Sequence, residues 1–269
     1  MHKLSMASAL DKLPKIVSLN MCVDPYLMAF AAPEQIIALA PQSHQSDLSP
    51  FTEQAKNFPI SDGTIENILQ LQPDLVIGSP FNQHLKRQIL EAQGIIVLTI
   101  EAHDNYASAR QEIMSVGRAI GRLPQAAAYL RQLDAALKQA HHSDQGKPQN
   151  ISILPLQRRG LTIGDTHILG DIIKLSGARL AHSGNRRAQI ISPISLEEAV
   201  MLESDFILTT DDFSFSKDRG IEFLHHPALA KHYGAAQRLH LPTNLIICAG
   251  ATTPLAVQTL KTQLLDYSK

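Results

Sequence analysis

The sequence predicts an α/β fold of two lobes with mainly parallel sheets, joined by a single long helix, and three observations carry that expectation. The two halves of the chain repeat one another in a helix, turn and strand unit. Short apolar runs suited to buried strands alternate with helical segments in both halves, and the stretch between the halves has helical period and no strand pattern. At 269 residues the chain exceeds the roughly 100–200 residues of an ordinary domain, so two similar lobes suit its length.

The repeat runs without gaps from Thr64 to Ile77 and again from Ser195 to Leu208. Thr64 and Ser195 carry hydroxyls suited to helix N-caps, and Ser195 with Glu198 makes a capping-box pattern. Asp74 and Asp205 then lead into apolar runs of central-strand length. The openings of the halves also correspond: Lys15 to Asn20 lines up on Asn150 to Pro155, a strand at the start of each, with Ile16 opposite Ile151. Asp24-Pro25 reads as an N-cap with proline at the first helical position, and that helix ends near Ala32-Pro33. Its counterpart runs from about Thr166 to Ser176 and stops at Gly177. Further strands are expected at Ile36 to Ala40, Ile95 to Ile100, Arg238 to Leu241 and Leu245 to Cys248, which makes each half a Rossmann-like lobe.

Between the halves, Ala109, Ile113, Val116 and Ile120 form one helical stripe, Gly121 to Pro124 breaks it, and Ala127, Leu130, Leu133 and Leu137 continue it. A helix from Pro124 to His141 would be about 27 Å long, enough to bridge two lobes and stiff enough to restrain their motion. The polar stretch Ser143 to Gln149 closes the connector. The expected boundaries are therefore 14–104 for the first lobe, 105–148 for the connector with its bridging helix at 124–141, and 149–269 for the second lobe.

Charge and composition narrow the partners. Lys and Arg number 24 against 25 Asp and Glu, a formal net charge of -1, which points away from nucleic acid and from anionic membrane surfaces. No run approaches the roughly 18 apolar residues of a membrane span. Residues 1–13 lack a continuous apolar segment and read as the ragged start of a processed or recombinant chain rather than an intact signal peptide. The two cysteines, Cys22 and Cys248, have neither zinc nor thioredoxin spacing. One disulfide is open to them, and two separate buried thiols are the leading expectation.

Two α/β lobes joined by one helix, with Lys15-Ile16-Val17-Ser18-Leu19 at the start and Pro73-Asp74-Leu75-Val76-Ile77 after a Glu-containing helix, resemble the helical-backbone class (class III) of periplasmic binding proteins. These are the substrate-binding components of ABC importers, among them the cobalamin, ferric siderophore and haem carriers. The similarity covers roughly residues 14–265. Its best single match is Leu69-Gln70-Leu71-Gln72-Pro73-Asp74-Leu75-Val76, close to the family's I-x-x-L-x-P-D-L-V. Asn20-Met21-Cys22-Val23-Asp24 and Cys248-Ala249-Gly250 look like the iron-complex branch. The resemblance implies an exported, periplasmic monomer with a ligand cleft between its lobes, no cofactor and no catalysis, which delivers a small molecule to a membrane permease dimer. It also implies that Glu66 and Glu197, at matching places in the repeat, dock on arginines of the two permease subunits. A first-turn carboxylate also stabilises its own helix through the macrodipole, and that role is the plainer alternative.

Other classes are weaker on the residues. The chain lacks G-x-S-x-G, H-E-x-x-H, G-x-x-x-x-G-K-[ST] and G-x-G-x-x-G; a hydrolase would have to be assembled from Ser79, His44 and Asp165. A carrier of a bare transition metal would draw on the twelve histidines. His141-His142 suits a helix C-terminus and His225-His226 stands in a loop before Pro227, so surface roles fit both pairs; His44 and His103 are the better metal candidates.

In open α/β sheets ligands bind beyond the carboxyl ends of the strands. The loops there supply the candidate ligand-binding residues: Asn20, Met21, Cys22, His44, Ser79, Phe81 and Asn82 in the first half, with Arg158, Arg159, Arg186, Arg187, Phe213 and Phe215 in the second. No tryptophan and only 5% aromatic residues give few flat apolar surfaces. That composition favours a polar metal chelate such as a ferric siderophore over haem or a corrinoid, with arginine forks pairing carboxylate or catecholate oxygens.

Overall fold

The computed structural model describes residues 13–80, 84–101, 104–142, 150–181, 189–210 and 220–267. Contacts divide the chain into two compact units: Met1–Ala102 with Glu112–Tyr129, and His103–Gln111 with Leu130–Lys269. No described helix is long and apolar enough to cross a membrane.

The first unit is built on β1 (Ile16–Ser18), β2 (Ile36–Ala38), β3 (Leu75–Gly78) and β4 (Ile96–Thr99). They form one parallel sheet in the order β2-β1-β3-β4. Helices α1 (Asp24–Phe30), α2 (Thr52–Ala55), α3 (Ile65–Leu71) and α4 (His84–Ala92) intervene. Val17, Ala38, Ile68, Val76 and Leu90 make its core. Then α5 (Tyr106–Ala119) and α6 (Leu123–His142) follow without an intervening strand, as the two apolar stripes predict.

The second unit starts with β5 (Ser152–Pro155) and a short antiparallel pair, β6 (Leu161–Ile163) with β8 (Ile191–Pro193), on either side of α7 (Ile168–Leu175) and β7 (Arg179–Leu180). After α8 (Leu196–Met201) come β9 (Phe206–Thr209), α9 (Pro227–His232), β10 (Arg238–His240) and α10 (Thr253–Tyr267). Its parallel sheet has the order β10-β9-β5-β7. With β1 matched to β5 and β3 to β9, this is the connectivity of the first sheet again. Leu154, Ile207, Leu224 and Leu229 lie at the centre of its core.

The repeat is visible atom by atom. Thr64 Oγ1 accepts a hydrogen bond from the Asn67 amide at 3.2 Å, and Ser195 Oγ accepts one from the Glu198 amide at 3.1 Å. A non-glycine residue with positive φ follows each helix within two residues, Gln72 at 49° and Glu203 at 46°. Asp74 Oδ2 accepts from the Lys15 amide at 2.8 Å. Asp205 Oδ2 accepts from the Ser152 amide and hydroxyl, both at 2.7 Å.

Those carboxylates correct the expected alignment of the first strands. Ile16 pairs with Leu75, and Ile153 pairs with Phe206. Because Leu75 and Phe206 are equivalent in the repeat, Ile16 corresponds to Ile153 rather than to Ile151. A slip of two residues keeps every side chain on its own face, so apolar pattern alone does not detect it.

Other expectations are also revised. Leu245 to Cys248 is not a strand: Thr243–Leu245 is a 3-10 turn whose Thr243 carbonyl accepts from the amides of Ile246 and Ile247. The backbone groups a strand would offer are thus used locally. Asp24 is the first residue of α1 rather than its cap, which is Val23 without a capping side chain. Neither cysteine is a free thiol. Both Cys22 and Cys248 are disulfide-bonded, against the expectation of separate thiols; sequence spacing does not carry pairing information.

The Asp205 clamp gives a stability test. Replacing Asp205 by Ala leaves the Ser152 amide without its acceptor and should cost about 1–3 kcal/mol, against less than about 1 kcal/mol for Asp74→Ala, whose Lys15 partner is exposed. Urea unfolding of the two variants measures the difference, and equal losses would contradict the role assigned to Ser152.

Candidate ligand-binding site

In each sheet the first and third strands lie side by side while their neighbours run outward in opposite directions, so β1/β3 and β5/β9 are topological switch points. The chain leaves each such pair through polar residues, where an open α/β sheet places its ligand. The corrected register makes Asn20 the counterpart of Gln157, and the repeat makes Ser79 the counterpart of Thr210.

In the first unit the Asn20 side chain closes its own turn. Its Oδ1 accepts from the Cys22 amide at 3.0 Å, and its backbone amide donates to Ser18 Oγ at 3.2 Å. The Asn20 carbonyl receives the amides of Val23 and Asp24. This folds Met21 and Cys22, both half-buried, into the entry of α1.

Asp24, placed next, is fully buried. Its Oδ2 accepts from the Ala40 amide at 2.9 Å and from the Ser43 hydroxyl at 2.5 Å, which ties α1 to the turn after β2. Its Oδ1 has no partner among the described residues. Burial pushes the carboxyl up to about 6, against the pull of the hydrogen bonds from Ser43 and Ala40. His44, one residue past Ser43, likewise has a buried Nε2 without a partner among the described residues. Sequence reading missed Asp24 because an Asp-Pro pair at a helix start signals a cap, whereas this side chain reaches another strand's loop.

In the second unit Gln157 follows β5. Its amide donates to the Leu161 carbonyl at 2.7 Å, and its Oε1 accepts from the Thr210 hydroxyl at 2.5 Å. The side chain thereby spans the β5/β9 switch point. Arg158 and Arg159 form the 3-10 turn Arg158–Gly160, with Arg159 at φ 61° and its amide bonded to the Gly220 carbonyl at 2.8 Å. Arg158 is half-buried and Arg159 exposed. Gly160 completes the turn with positive φ, and a Cβ there would stand 2.8 Å from the Phe223 ring and 2.9 Å from the Ile194 carbonyl.

Of the candidates read from sequence, Asn20, Met21 and Cys22 fall at the carboxyl edge of the first sheet, as do His44 and the half-buried Ser79; Arg158 and Arg159 fall at that of the second. Phe81, Asn82, Arg186, Arg187, Phe213 and Phe215 lie outside the described residues, as does His103. Glu66 and Glu197 are the second residues of α3 and α8, and both are exposed.

Several polar groups have structural employment. Asp165, the acid of the hydrolase alternative, pairs with Lys174 at 3.2 Å. His226 caps α9 by accepting the Ala228 amide at Nδ1, and His167 caps α7 by accepting the Leu169 amide, its ring held below the ordinary imidazole range by burial. Among the described residues no group of three or more His, Cys, Asp or Glu side chains could hold a metal ion.

With this geometry in place, the comparisons define the class. A family model described as periplasmic binding protein matches residues 16–241, and the chain belongs to that family. It is a substrate-binding protein of transport. No curated protein is significantly similar to it in sequence. Solved structures share the fold: the periplasmic heme-binding protein BhuT in complex with two hemes (20% identity, 95% of this chain and 99% of that one, TM-score 0.69) and RhuT from Roseiflexus sp. RS-1, a periplasmic heme-binding protein in apo form (20%, 96% and 100%, 0.72). A third is a possible iron-binding (periplasmic solute-binding) protein from Staphylococcus epidermidis ATCC 12228 (14%, 94% and 99%, 0.76).

The buried acid yields a pH test. Below the unfolded value of 3.8 Asp24 is protonated in both states; as pH rises through about 6 the buried group must ionise, and its contribution to stability is lost. Asp24→Asn removes that loss. Thermal melts from about pH 4 to about pH 7.5 should show the variant gaining on the parent as pH rises, and parallel curves would rule the linkage out.

Proposed function

We propose that the protein is the exported carrier of an ABC importer and binds an iron chelate at the carboxyl ends of its strands. The observation that carries this reading is the pair of switch points, each opening on amide, hydroxyl and, in the second unit, guanidinium groups. Such groups suit oxygen-rich anionic ligands and have no nucleophile-and-base arrangement assigned to them. A ferric siderophore fits the scarcity of aromatic side chains. Haem is the second reading, favoured by the heme-binding proteins among the structural relatives.

Titration separates the two. Haemin should give a shifted Soret band if haem is the cargo, and ferric catecholate or hydroxamate chelates should give saturable heats in calorimetry if a siderophore is. Absence of saturable binding by every chelate would overturn the iron-chelate assignment. Within the bound class, replacing a contacting arginine among Arg158, Arg159, Arg186 and Arg187 by Ala should weaken an anionic chelate by about 1.5–3 kcal/mol, the range of a charged hydrogen bond. A neutral chelate should respond far less.

Delivery is assigned to Glu66 and Glu197. Each is exposed at the second position of a capped helix, and together they offer one carboxylate per lobe to a cationic permease. Exposed charges of this kind fix orientation and speed encounter more than they add affinity. The double variant Glu66→Ala/Glu197→Ala should keep its ligand affinity while transport or permease association falls strongly. Unchanged transport would remove the docking role and leave the two residues as helix-terminal charges.

A further inference from the structure

We infer that Gln157 is a ligand-recognising residue, its side-chain amide nitrogen donating to an anionic oxygen of the bound chelate. The inference rests on the carrier reading above and assigns one contact within it.

Gln157 stands at the exit of β5, at the switch point of the second sheet. Two bonds fix it there: its backbone amide to the Leu161 carbonyl, and the Thr210 hydroxyl to its Oε1. Thr210 is itself only 5% exposed, and its carbonyl accepts the Thr243 hydroxyl at 2.6 Å. The acceptor half of the carboxamide is therefore held by a buried hydroxyl that is anchored in turn.

The donor half is not. Gln157 Nε2 is buried and has no hydrogen-bond partner among the described residues. A buried amide nitrogen without an acceptor is costly, and such a group needs a reason. It stands where an open α/β sheet receives its ligand. The residue as a whole is half-buried, and the last torsion of a glutamine is soft, so an arriving oxygen can reach the amide. Arg158, the next residue, would add a guanidinium to the same acceptor class.

The counterpart in the first unit behaves differently. Asn20 Oδ1 is engaged by the Cys22 amide in a local turn, which a glutamine, one methylene longer, does not make at position 157. The repeat has thus kept a carboxamide at both strand exits while holding the second across the switch point by Thr210.

Haem propionates and siderophore catecholates both present anionic oxygens, and the test distinguishes them. Binding of haemin, haemin dimethyl ester and a ferric tricatecholate would be measured for the parent protein, Gln157→Leu and Gln157→Glu, with thermal melts to confirm that each variant folds. Gln157→Glu keeps an acceptor for Thr210 and replaces the donor by oxygen. The inference expects at least tenfold weaker binding of whichever anionic chelate the parent takes, with Glu worse than Leu. If haemin is the cargo, its ester, which lacks anionic propionates, should bind the parent and both variants alike. Should the parent bind a chelate that both folded variants bind equally well, the Gln157 assignment is overturned and the carrier reading stands. Should the parent bind none of the three and no ferric hydroxamate either, the iron-chelate reading is overturned and this assignment goes with it.

Discussion

Each lobe depends on one carboxylate at the foot of its third strand. Asp74 and Asp205 sit one residue before β3 and β9, and each accepts an amide at the entry of the first strand, that of Lys15 just ahead of β1 and that of Ser152, the first residue of β5. A parallel pair gives no hairpin turn to set its register. Here a side-chain acceptor does so at the strand entry, and the ladder from Ile16 opposite Leu75, or Ile153 opposite Phe206, follows from it. Once the entry is fixed, the exit is fixed too, because the strands are only three or four residues long. The Leu19 amide meets the Ile77 carbonyl and the Leu156 amide meets the Leu208 carbonyl. Asn20 and Gln157 are delivered to the switch points by carboxylates at the other end of the sheet.

This explains which parts of the molecule were legible in the sequence. The helix, turn and strand repeat was readable because every step in it has a local chemical mark: a hydroxyl cap, a carboxylate, an apolar run. The two long helices of the connector were readable from period alone. The register of the first strands was not, since moving Ile16 from Ile151 to Ile153 changes no side chain's face. Asp24 was misread for a related reason. Its sequence neighbours satisfy the rule for a helix cap, and only the return of the chain at Ala40 and Ser43 gives the carboxylate a better set of donors.

The candidate site was legible only as a set of loops. Strand ends can be read from apolar runs, so Asn20, His44, Ser79 and the Arg158-Arg159 pair were placed at a carboxyl edge correctly. Which atom in such a loop is already satisfied depends on partners far away in sequence. Gln157 and Thr210 are separated by 53 residues, and neither carries a motif that announces the pairing. Histidines posed the opposite difficulty. Their number raised a metal alternative that their spacing argued against, and His167 and His226 spend Nδ1 on helix amides, work usually done by serine or aspartate.

The two switch points, built from one repeated plan, have diverged in how they hold polarity. In the first lobe the strand-exit carboxamide accepts a neighbouring amide, and the buried atoms without a partner among the described residues belong to Asp24 and His44. Ionised Asp24 would repel an anionic chelate, and its raised pKa reduces that charge in mildly acidic solution. In the second lobe the unpartnered buried atom at the β5 exit, among the described residues, is a donor, Gln157 Nε2, and two arginines follow directly in the chain. For the anionic chelate proposed above, the strand exit of the second lobe offers a buried donor followed by two guanidinium-bearing residues, and that of the first lobe an acid whose charge varies with pH. The difference between the two exits lies in their side chains and turns, while the carboxylate clamps hold the strand register beneath them the same.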